Sequence, residues 1–337
     1  MKELPIGITG LGVMSPDNAT VDLDTRFKMA CEAQVFDYLD QTPGPGEVDA
    51  FRAASERHGL PLRAGGFYYR LGRDDELLMW HLRIGRELGV QVHNVQIFTH
   101  HADGHPLSNE EVADFYLRAL ELGERTGVTP CLEVHVNMWS ERFSRVAEVG
   151  ELVERRGAPY YLTLDHSHVI FKIDNPREQL VQDLQADIAG GRTILDPASA
   201  DCVVYEWLRR NWIRHAHARA TVPANPLNLW SHHPDGSPGR GIQYPFIEPG
   251  PGEWHSAWEP GRLEPWKQAM RAVLAHHARD PNSPLGQVTM EFIPFPDYGG
   301  GARYSILANN IACAKWVRDT WNQLVAYPSP AEIGSTG

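Results

Sequence analysis

The sequence predicts an α/β fold, most simply a single (β/α)8 TIM barrel with a long loop after strand seven. Eight apolar stretches have the length of strands, and helical stretches separate them along the chain. This alternation is typical of parallel strands joined by right-handed crossovers. An open doubly wound sheet is the alternative. It is disfavoured by the strand count and because no helix directly follows the Gly7, Gly10 and Gly12 pattern, as a dinucleotide loop requires.

The predicted elements come from apolar runs and from helix start and stop signals. The strands are expected at 4–10, 35–39, 62–69, 90–98, 131–136, 160–165, 212–218 and 287–293. The main helices are expected at about 22–33, 47–58, 74–88, 108–126, 141–156, 264–279 and 302–324, with another starting at Asn175. Ser108 and Glu111 form a capping-box pattern at one helix start, and Gly59 and Gly89 follow helix ends.

The domain organisation is expected to be simple. No stretch has the composition of a linker, so we assign residues 1–327 to one barrel. Residues 328–337 are predicted to form a flexible C-terminal tail. The stretch from 221 to 262 is rich in proline, glycine, tryptophan and histidine and is too long for an ordinary connection, which favours a lid or a binding loop.

Charge and composition exclude several classes of protein. The net charge of −12 argues against a nucleic-acid or anionic-membrane partner, because phosphate groups require a basic surface. No long apolar window indicates a transmembrane helix, and the first residues do not resemble a signal peptide. The four cysteines are far apart in sequence. Free thiols in a cytoplasmic protein are therefore expected.

Acidic and histidine side chains fall on or just after four successive predicted strands. They are Glu133, Asp165, His215 or His217, and Glu291. One such residue alone is more often structural, but in a barrel all of them would meet at the C-terminal mouth. Buried carboxylates repel one another unless a cation lies between them. Three carboxylates and one imidazole suit Mn²⁺, Mg²⁺ or Co²⁺ better than a structural zinc.

These stretches resemble the xylose isomerase-like TIM-barrel superfamily of sugar phosphate isomerases and epimerases. The resemblance rests on Glu133, on the segments 164–168 and 215–219, and on Met290-Glu291-Phe292, and covers nearly the whole chain. It implies one divalent metal, with Mn²⁺ favoured and Mg²⁺, Co²⁺ or Zn²⁺ as alternatives. The implied ligands are Glu133, Asp165, His217 and Glu291. His217 is preferred to His215 because the second histidine of such a strand is the ligand in relatives.

The chain departs from the ketose 3-epimerases at one position. Those enzymes carry a second glutamate six residues after the strand-five ligand, where this chain has Trp139. His135 lies two residues after Glu133 on the same face. This Glu-x-His arrangement resembles metal-dependent C-glycoside deglycosidases of the same superfamily, which implies elimination from a 3-keto sugar with His135 as the base.

The function expected from the resemblance is a divalent-metal-dependent sugar isomerase or epimerase. It would remove a proton next to a carbonyl of a keto sugar and pass through an enediolate, with Glu133, Glu291 and His135 as candidate catalytic residues. The expected substrate contacts are His168, Arg219, Trp139, His100 and Arg240. Few basic residues lie near the proposed mouth, which favours an unphosphorylated small-molecule sugar.

Other interpretations stay open. A metal-dependent lyase is the main alternative, and a sugar-binding barrel without turnover is a weaker one. A nuclease of the apurinic-site class shares the barrel, but its DNA substrate conflicts with the acidic charge. A homo-oligomer is also open, since barrels of this kind often pair.

Overall fold

The computed structural model describes residues 2–326 and contains a closed barrel of parallel strands. The barrel strands are β1 (Ile6–Thr9), β2 (Tyr38–Asp40), β3 (Leu62–Tyr69), β4 (Val92–Ile97), β5 (Thr129–Val134), β6 (Leu162–Asp165), β7 (Ile213–Ala218) and β10 (Gln287–Met290). The remaining described strands, β8 (Asn228–His232) and β9 (Pro238–Gly239), pair antiparallel outside it. Each barrel strand pairs with its sequence neighbour, and β10 closes against β1. The predicted (β/α)8 barrel is confirmed.

Helices surround this barrel on the outside. Their bounds are α1 (Leu23–Glu32), α2 (Val48–His58), α3 (Asp75–Leu88), α4 (Asn109–Thr126), α5 (Phe143–Arg155), α6 (Ser167–Ile170), α7 (Pro176–Gln179), α8 (Leu184–Ala189), α9 (Val203–Arg209), α10 (Glu264–Arg279) and α11 (Ile306–Ala326). Among residues 2–326, no helix is long and apolar enough to cross a membrane.

Local sequence signals explain several helix ends. The Ser108 side chain accepts a hydrogen bond from the Glu111 backbone, and the Glu111 side chain accepts one in return from the Ser108 backbone. The predicted capping box is therefore confirmed. Gly89 and Gly127 end their helices with φ of 82° and 75°, a left-handed conformation that glycine adopts without a steric cost.

Some predicted bounds differ from the structure. The strand predicted at 35–39 is Tyr38–Asp40, so Asp40 is the last residue of the strand rather than the residue after it. The helix predicted from Asn175 is divided into α7 and α8, because Gln182 and Asp183 between them have positive φ. The last helix begins at Ile306 rather than at 302. The predicted tail at 328–337 lies outside the described residues.

The long segment after β7 has structure of its own. It carries the β8–β9 hairpin and a short 3-10 helix at Pro260–Leu263. Trp230 packs edge-on against Trp254, with 5.9 Å between ring centres. The Trp258 indole nitrogen donates to the backbone oxygen of Pro245 at 2.9 Å. These tryptophans therefore hold the segment together, and its role as a lid stays a prediction.

Candidate active site

Strand register brings the predicted polar residues to one end of the barrel. Asp165 on β6 pairs with His217 on β7, and His217 pairs in turn with Thr289 on β10. Glu133 lies near the end of β5, and Glu291 directly follows β10. Since all these strands are parallel, their C-terminal ends meet at the mouth, where barrel enzymes carry their sites.

Three of the predicted ligands converge here. His217 Nδ1 lies 3.1 Å from Glu133 Oε1 and 3.0 Å from Glu291 Oε2. One donor atom from each residue lies within 4.8 Å of the others. Glu133 and His217 are buried, whereas 14% of the Glu291 side chain is exposed. The group therefore faces the mouth through Glu291.

Glu133 is held as an anion by its neighbours. The side-chain amides of Asn94 and Gln96 donate to its Oε2 at 2.5 and 2.6 Å. Burial raises the pKa of Glu133, but the charges of His217 and His135 outweigh burial and keep its pKa well below the usual range. A carboxylate held this way is a good ligand for a cation and a weak base.

The two histidines of β7 have different surroundings. Burial lowers the pKa of His217, but Glu291 and Glu133 outweigh burial, and its pKa is raised well above 6.5. Burial lowers the pKa of His215 to about 3, so this ring is neutral. His215 Nε2 lies 2.8 Å from Thr289 Oγ1, away from the three-residue group. The structure thus places His217, and not His215, with Glu133 and Glu291.

Asp40 is a further acid beside the second ring nitrogen of His217. Its Oδ2 lies 3.6 Å from His217 Nε2 and 3.8 Å from His215 Nε2. Thr289 donates its hydroxyl to the same oxygen at 2.9 Å. At 3.6 Å the contact is electrostatic rather than a hydrogen bond, and a carboxylate beside the far nitrogen of a ligating histidine increases the basicity of the ring.

Asp165 is paired with an arginine instead of joining the group. Among the described residues, it is absent from the cluster that Glu133, His217 and Glu291 form. Arg219 donates through Nη2 to Asp165 Oδ2 and through Nη1 to Glu291 Oε2 at 3.0 Å. Burial raises the pKa of Asp165, but the Arg219 charge outweighs burial and holds its pKa well below the usual range.

His168 and His135 lie on either side of this pair. His168 Nε2 is 3.0 Å from Asp165 Oδ2, and burial lowers the pKa of His168 to about 4. His135 is half-buried, and its Nδ1 contacts the backbone oxygen of Val136 at 2.5 Å. Nδ1 must therefore carry a proton, and Nε2 lies within hydrogen-bond distance of the Tyr298 hydroxyl, at 3.1 Å.

The other predicted substrate contacts lie in different environments. Trp139 is buried in the hydrophobic core, with Arg145 5.6 Å from its ring centre. His100 is exposed in the loop after β4, and its Nδ1 is 2.8 Å from Thr99 Oγ1. These contacts give no support to a sugar-binding role for either residue.

Arg240 belongs to a buried ionic network. Its guanidinium pairs with Glu141 and Glu178, and Lys172 pairs with the same two carboxylates. The backbone nitrogen of Arg240 donates to Asp297 Oδ1 at 2.9 Å. The Arg240 charge is thus already balanced inside the protein, and its predicted contact with a sugar gains no support.

Four residues of the site escaped the sequence prediction. They are Asp40, Asn94, Gln96 and Tyr298. Asp40 directly follows the strand predicted at 35–39, so the strand-end rule could have found it. The two amides are uncharged residues within β4, and Tyr298 lies in a loop without a motif, so no signal identified them.

The comparisons with known proteins agree with the fold. No protein-family model matches the sequence, and no curated protein matches it. A xylose isomerase-like TIM barrel protein from Mycobacterium smegmatis, in complex with magnesium, matches 96% of this chain and 98% of its own, with a TM-score of 0.55 and 11% identity. A D-psicose 3-epimerase from Clostridium cellulolyticum, with D-tagatose, matches 96% of this chain and 99% of its own, with a TM-score of 0.51 and 13% identity.

A third solved structure extends the range of reactions among these barrels. A probable 3-DHS dehydratase from Bacillus anthracis matches 91% of this chain and 97% of its own, with a TM-score of 0.55 and 14% identity. At this level of identity the likeness concerns the fold. The chain has the fold of the xylose isomerase-like TIM barrels.

Proposed function

We propose that this protein is a divalent-metal-dependent sugar isomerase or epimerase that removes a proton next to the carbonyl of a keto sugar. The observation that carries the proposal is the convergence of Glu133, His217 and Glu291 at the barrel mouth. Similar barrels described in complex with D-tagatose or magnesium support the class of substrate and of cofactor.

The residues fit a divalent metal. Ligands about 2.1 Å from an octahedral metal lie about 3 Å from their neighbours, and His217 Nδ1 is 3.1 and 3.0 Å from the two glutamate oxygens. Two carboxylates and an imidazole suit Mn²⁺, our favoured metal, and are also compatible with Mg²⁺, Co²⁺ or Zn²⁺. The bound metal would supply positive charge that stabilises the oxyanion developing on the sugar.

Glu291 is the candidate general base. Its contacts with Arg219 and His217 both use Oε2, which leaves Oε1 for a proton of the substrate. Glu133 is less suited, because its low pKa makes it a weak base. Removal of the proton gives an enediolate, and its reprotonation at another carbon or on the other face gives isomerisation or epimerisation.

A lyase that eliminates from a 3-keto sugar, such as a C-glycoside deglycosidase, is the second candidate. The observation in its favour is that His135 Nδ1 donates to the Val136 backbone oxygen, which leaves Nε2, 3.1 Å from the Tyr298 hydroxyl, as the nitrogen that can take up a proton. A base and a phenol at this separation are suited to remove one proton and deliver another. The fold of a probable dehydratase is compatible with this reaction.

Deuterium exchange tests the proposal without requiring the natural substrate. The protein is incubated in D₂O with Mn²⁺ and a panel of unphosphorylated ketoses, and each sugar is analysed by mass spectrometry. We expect incorporation at a carbon next to the carbonyl, and loss of incorporation in Glu291→Gln. Glu248→Gln, at an exposed glutamate, is the matched control and should exchange normally.

Two results would count against the proposal. Absence of exchange with every ketose would favour a sugar-binding barrel without turnover. Loss of a β substituent from the sugar, with no deuterium incorporated into the remaining ketose, would favour the lyase. The proposed location is cytoplasmic, in keeping with four free cysteines, and pairing with a second copy stays open.

A further inference from the structure

Arg219 lies inside the candidate metal site. It follows β7 two residues after His217, so strand alternation directs both side chains to the same side. The residue is fully buried, at 0% exposure. Its guanidinium lies 4.2 Å from the ring centre of Tyr298, which covers it. A permanent positive charge is therefore enclosed beside the predicted ligands.

The guanidinium joins two of those ligands. Nη2 contacts Asp165 Oδ2 and lies 3.3 Å from Ser167 Oγ. Nη1 donates to Glu291 Oε2 at 3.0 Å and to the Glu291 backbone oxygen at 3.2 Å. Arginine thus makes the connection between Asp165 and Glu291 that a shared metal would otherwise make.

The balance of charge divides the site into two parts. Asp165 is neutralised by Arg219, with Ser167 and His168 completing its contacts. Glu133 and Glu291 instead both contact His217 Nδ1, at 3.1 and 3.0 Å, and Glu291 also shares the Arg219 guanidinium with Asp165. With a neutral, ligating His217, Glu133 and Glu291 would carry the negative charge that a divalent cation offsets.

We propose that Arg219 takes the place of the metal at Asp165, so that a bound divalent metal has Glu133, His217 and Glu291, and not Asp165, as its protein ligands. The inference rests on the proposed metal-dependent function. It makes Arg219 a positioning residue that holds Asp165 away from the metal and fixes one oxygen of Glu291.

A double-mutant cycle in metal binding tests this inference without measuring activity. The four proteins are the wild type, Arg219→Ala, Asp165→Asn and the double variant. Binding of Co²⁺ is measured by calorimetry and by its visible absorption, which changes with the ligand set. Removal of the arginine charge should strengthen metal binding whether residue 165 is Asp or Asn. The coupling energy between the substitutions at 219 and 165 therefore isolates ligation by Asp165.

We expect Arg219→Ala to bind Co²⁺ more tightly and with an altered spectrum, because Asp165 is released to become a ligand. Asp165→Asn should then weaken binding at least about tenfold more in the Arg219→Ala background than in the wild type. Equal weakening in both backgrounds would overturn the inference, since Asp165 would then already ligate beside Arg219.

Further variants and outcomes distinguish a folding defect, a failure of the inference and a failure of the proposed function. Arg219→Met preserves most of the side-chain volume and should give the same coupling as Arg219→Ala if the latter folds poorly, as judged by circular dichroism. If wild type binds no metal but Arg219→Ala does through Asp165, the metal-dependent function and the three-ligand set fail, whereas the part of the inference in which Arg219 keeps Asp165 from a metal holds. If wild type binds metal and the coupling is zero, the inference fails and the function stands. Absence of binding by all four proteins rejects both.

Discussion

The ring of Tyr298 covers the guanidinium of Arg219, with 4.2 Å between Cζ and the ring centre. Tyr298 lies in the loop after β10, whereas Arg219 follows β7. The contact therefore closes the mouth over the charged pair that Arg219 forms with Asp165. Exclusion of water strengthens such a pair because it lowers the local dielectric constant.

Substitutions at Tyr298 distinguish the role of its ring from the role of its hydroxyl. Tyr298→Phe keeps the ring over Arg219 and removes the hydrogen bond to His135. If Glu291 is the base, the rate of deuterium exchange should change by less than about threefold; a base role for His135 predicts a larger change, on the order of tenfold or more. The exchange assay with ketoses decides between the two bases.

Removal of the whole Tyr298 ring should reduce stability. Tyr298→Ala leaves a cavity above a buried charge, and we expect a loss of about 3–5 kcal/mol in the free energy of unfolding. Urea denaturation measures it. Tyr68→Ala is the matched control, because Tyr68 is 49% exposed and should contribute little. Equal losses in the two variants would contradict the covering role of Tyr298.

Asp40 should affect metal binding although it is outside the three-ligand group. Asp40→Asn removes the charge 3.6 Å from His217 Nε2, and we expect about 10–100-fold weaker binding of Mn²⁺ by calorimetry. Asp49→Asn, at a carboxylate with 93% side-chain exposure, is the control and should bind normally. Unchanged affinity in Asp40→Asn would show that the ring of His217 is oriented without this carboxylate.

The buried Glu141 should make stability depend on acid pH. Burial raises its pKa, but the charges of Lys172 and Arg240 outweigh burial and lower it from 4.5 to about 2. A lowered folded-state pKa stabilises the protein above pH 4.5, and this stability is lost as pH falls from about 4.5 to 2. The shift corresponds to about 3 kcal/mol.

Comparison with Glu141→Gln isolates this effect. At pH 7 the variant should unfold at a lower urea concentration than the wild type, because Lys172 and Arg240 lose a buried partner. The difference should narrow as pH falls below about 4.5. Glu151→Gln, at a half-exposed glutamate, should show little difference at any pH. A constant difference for Glu141→Gln across this range would disprove the assignment.

The cap of α4 gives a local test of the fold. Ser108→Ala removes the acceptor for the Glu111 backbone nitrogen, which should cost about 1 kcal/mol of stability in urea denaturation. Ser108→Thr retains the hydroxyl and should cost less. If both variants lose the same free energy of unfolding, the hydroxyl of Ser108 does not stabilise the helix as a cap.

The barrel could be predicted from sequence because the spacing of apolar residues and the glycines at helix ends depend on local structure alone. The strand-end rule also pointed to Glu133, Glu291 and either His215 or His217, since parallel strands carry their ends to one edge, and the family resemblance then favoured His217. The pairing of Asp165 with Arg219 was missed because it depends on side-chain conformations across two strands. Asn94 and Gln96 carry no charge, so nothing in the sequence marks their contact with Glu133.

The ionic network around Arg240 joins segments that are distant in sequence. Glu141 follows β5, Glu178 follows β6, and Asp297 follows β10, and all of them contact Arg240 in the segment after β7. Such segments would not fluctuate one at a time. We expect their backbone amides to exchange with solvent deuterium in a single opening step, so that one broken ion pair releases half of the rim together.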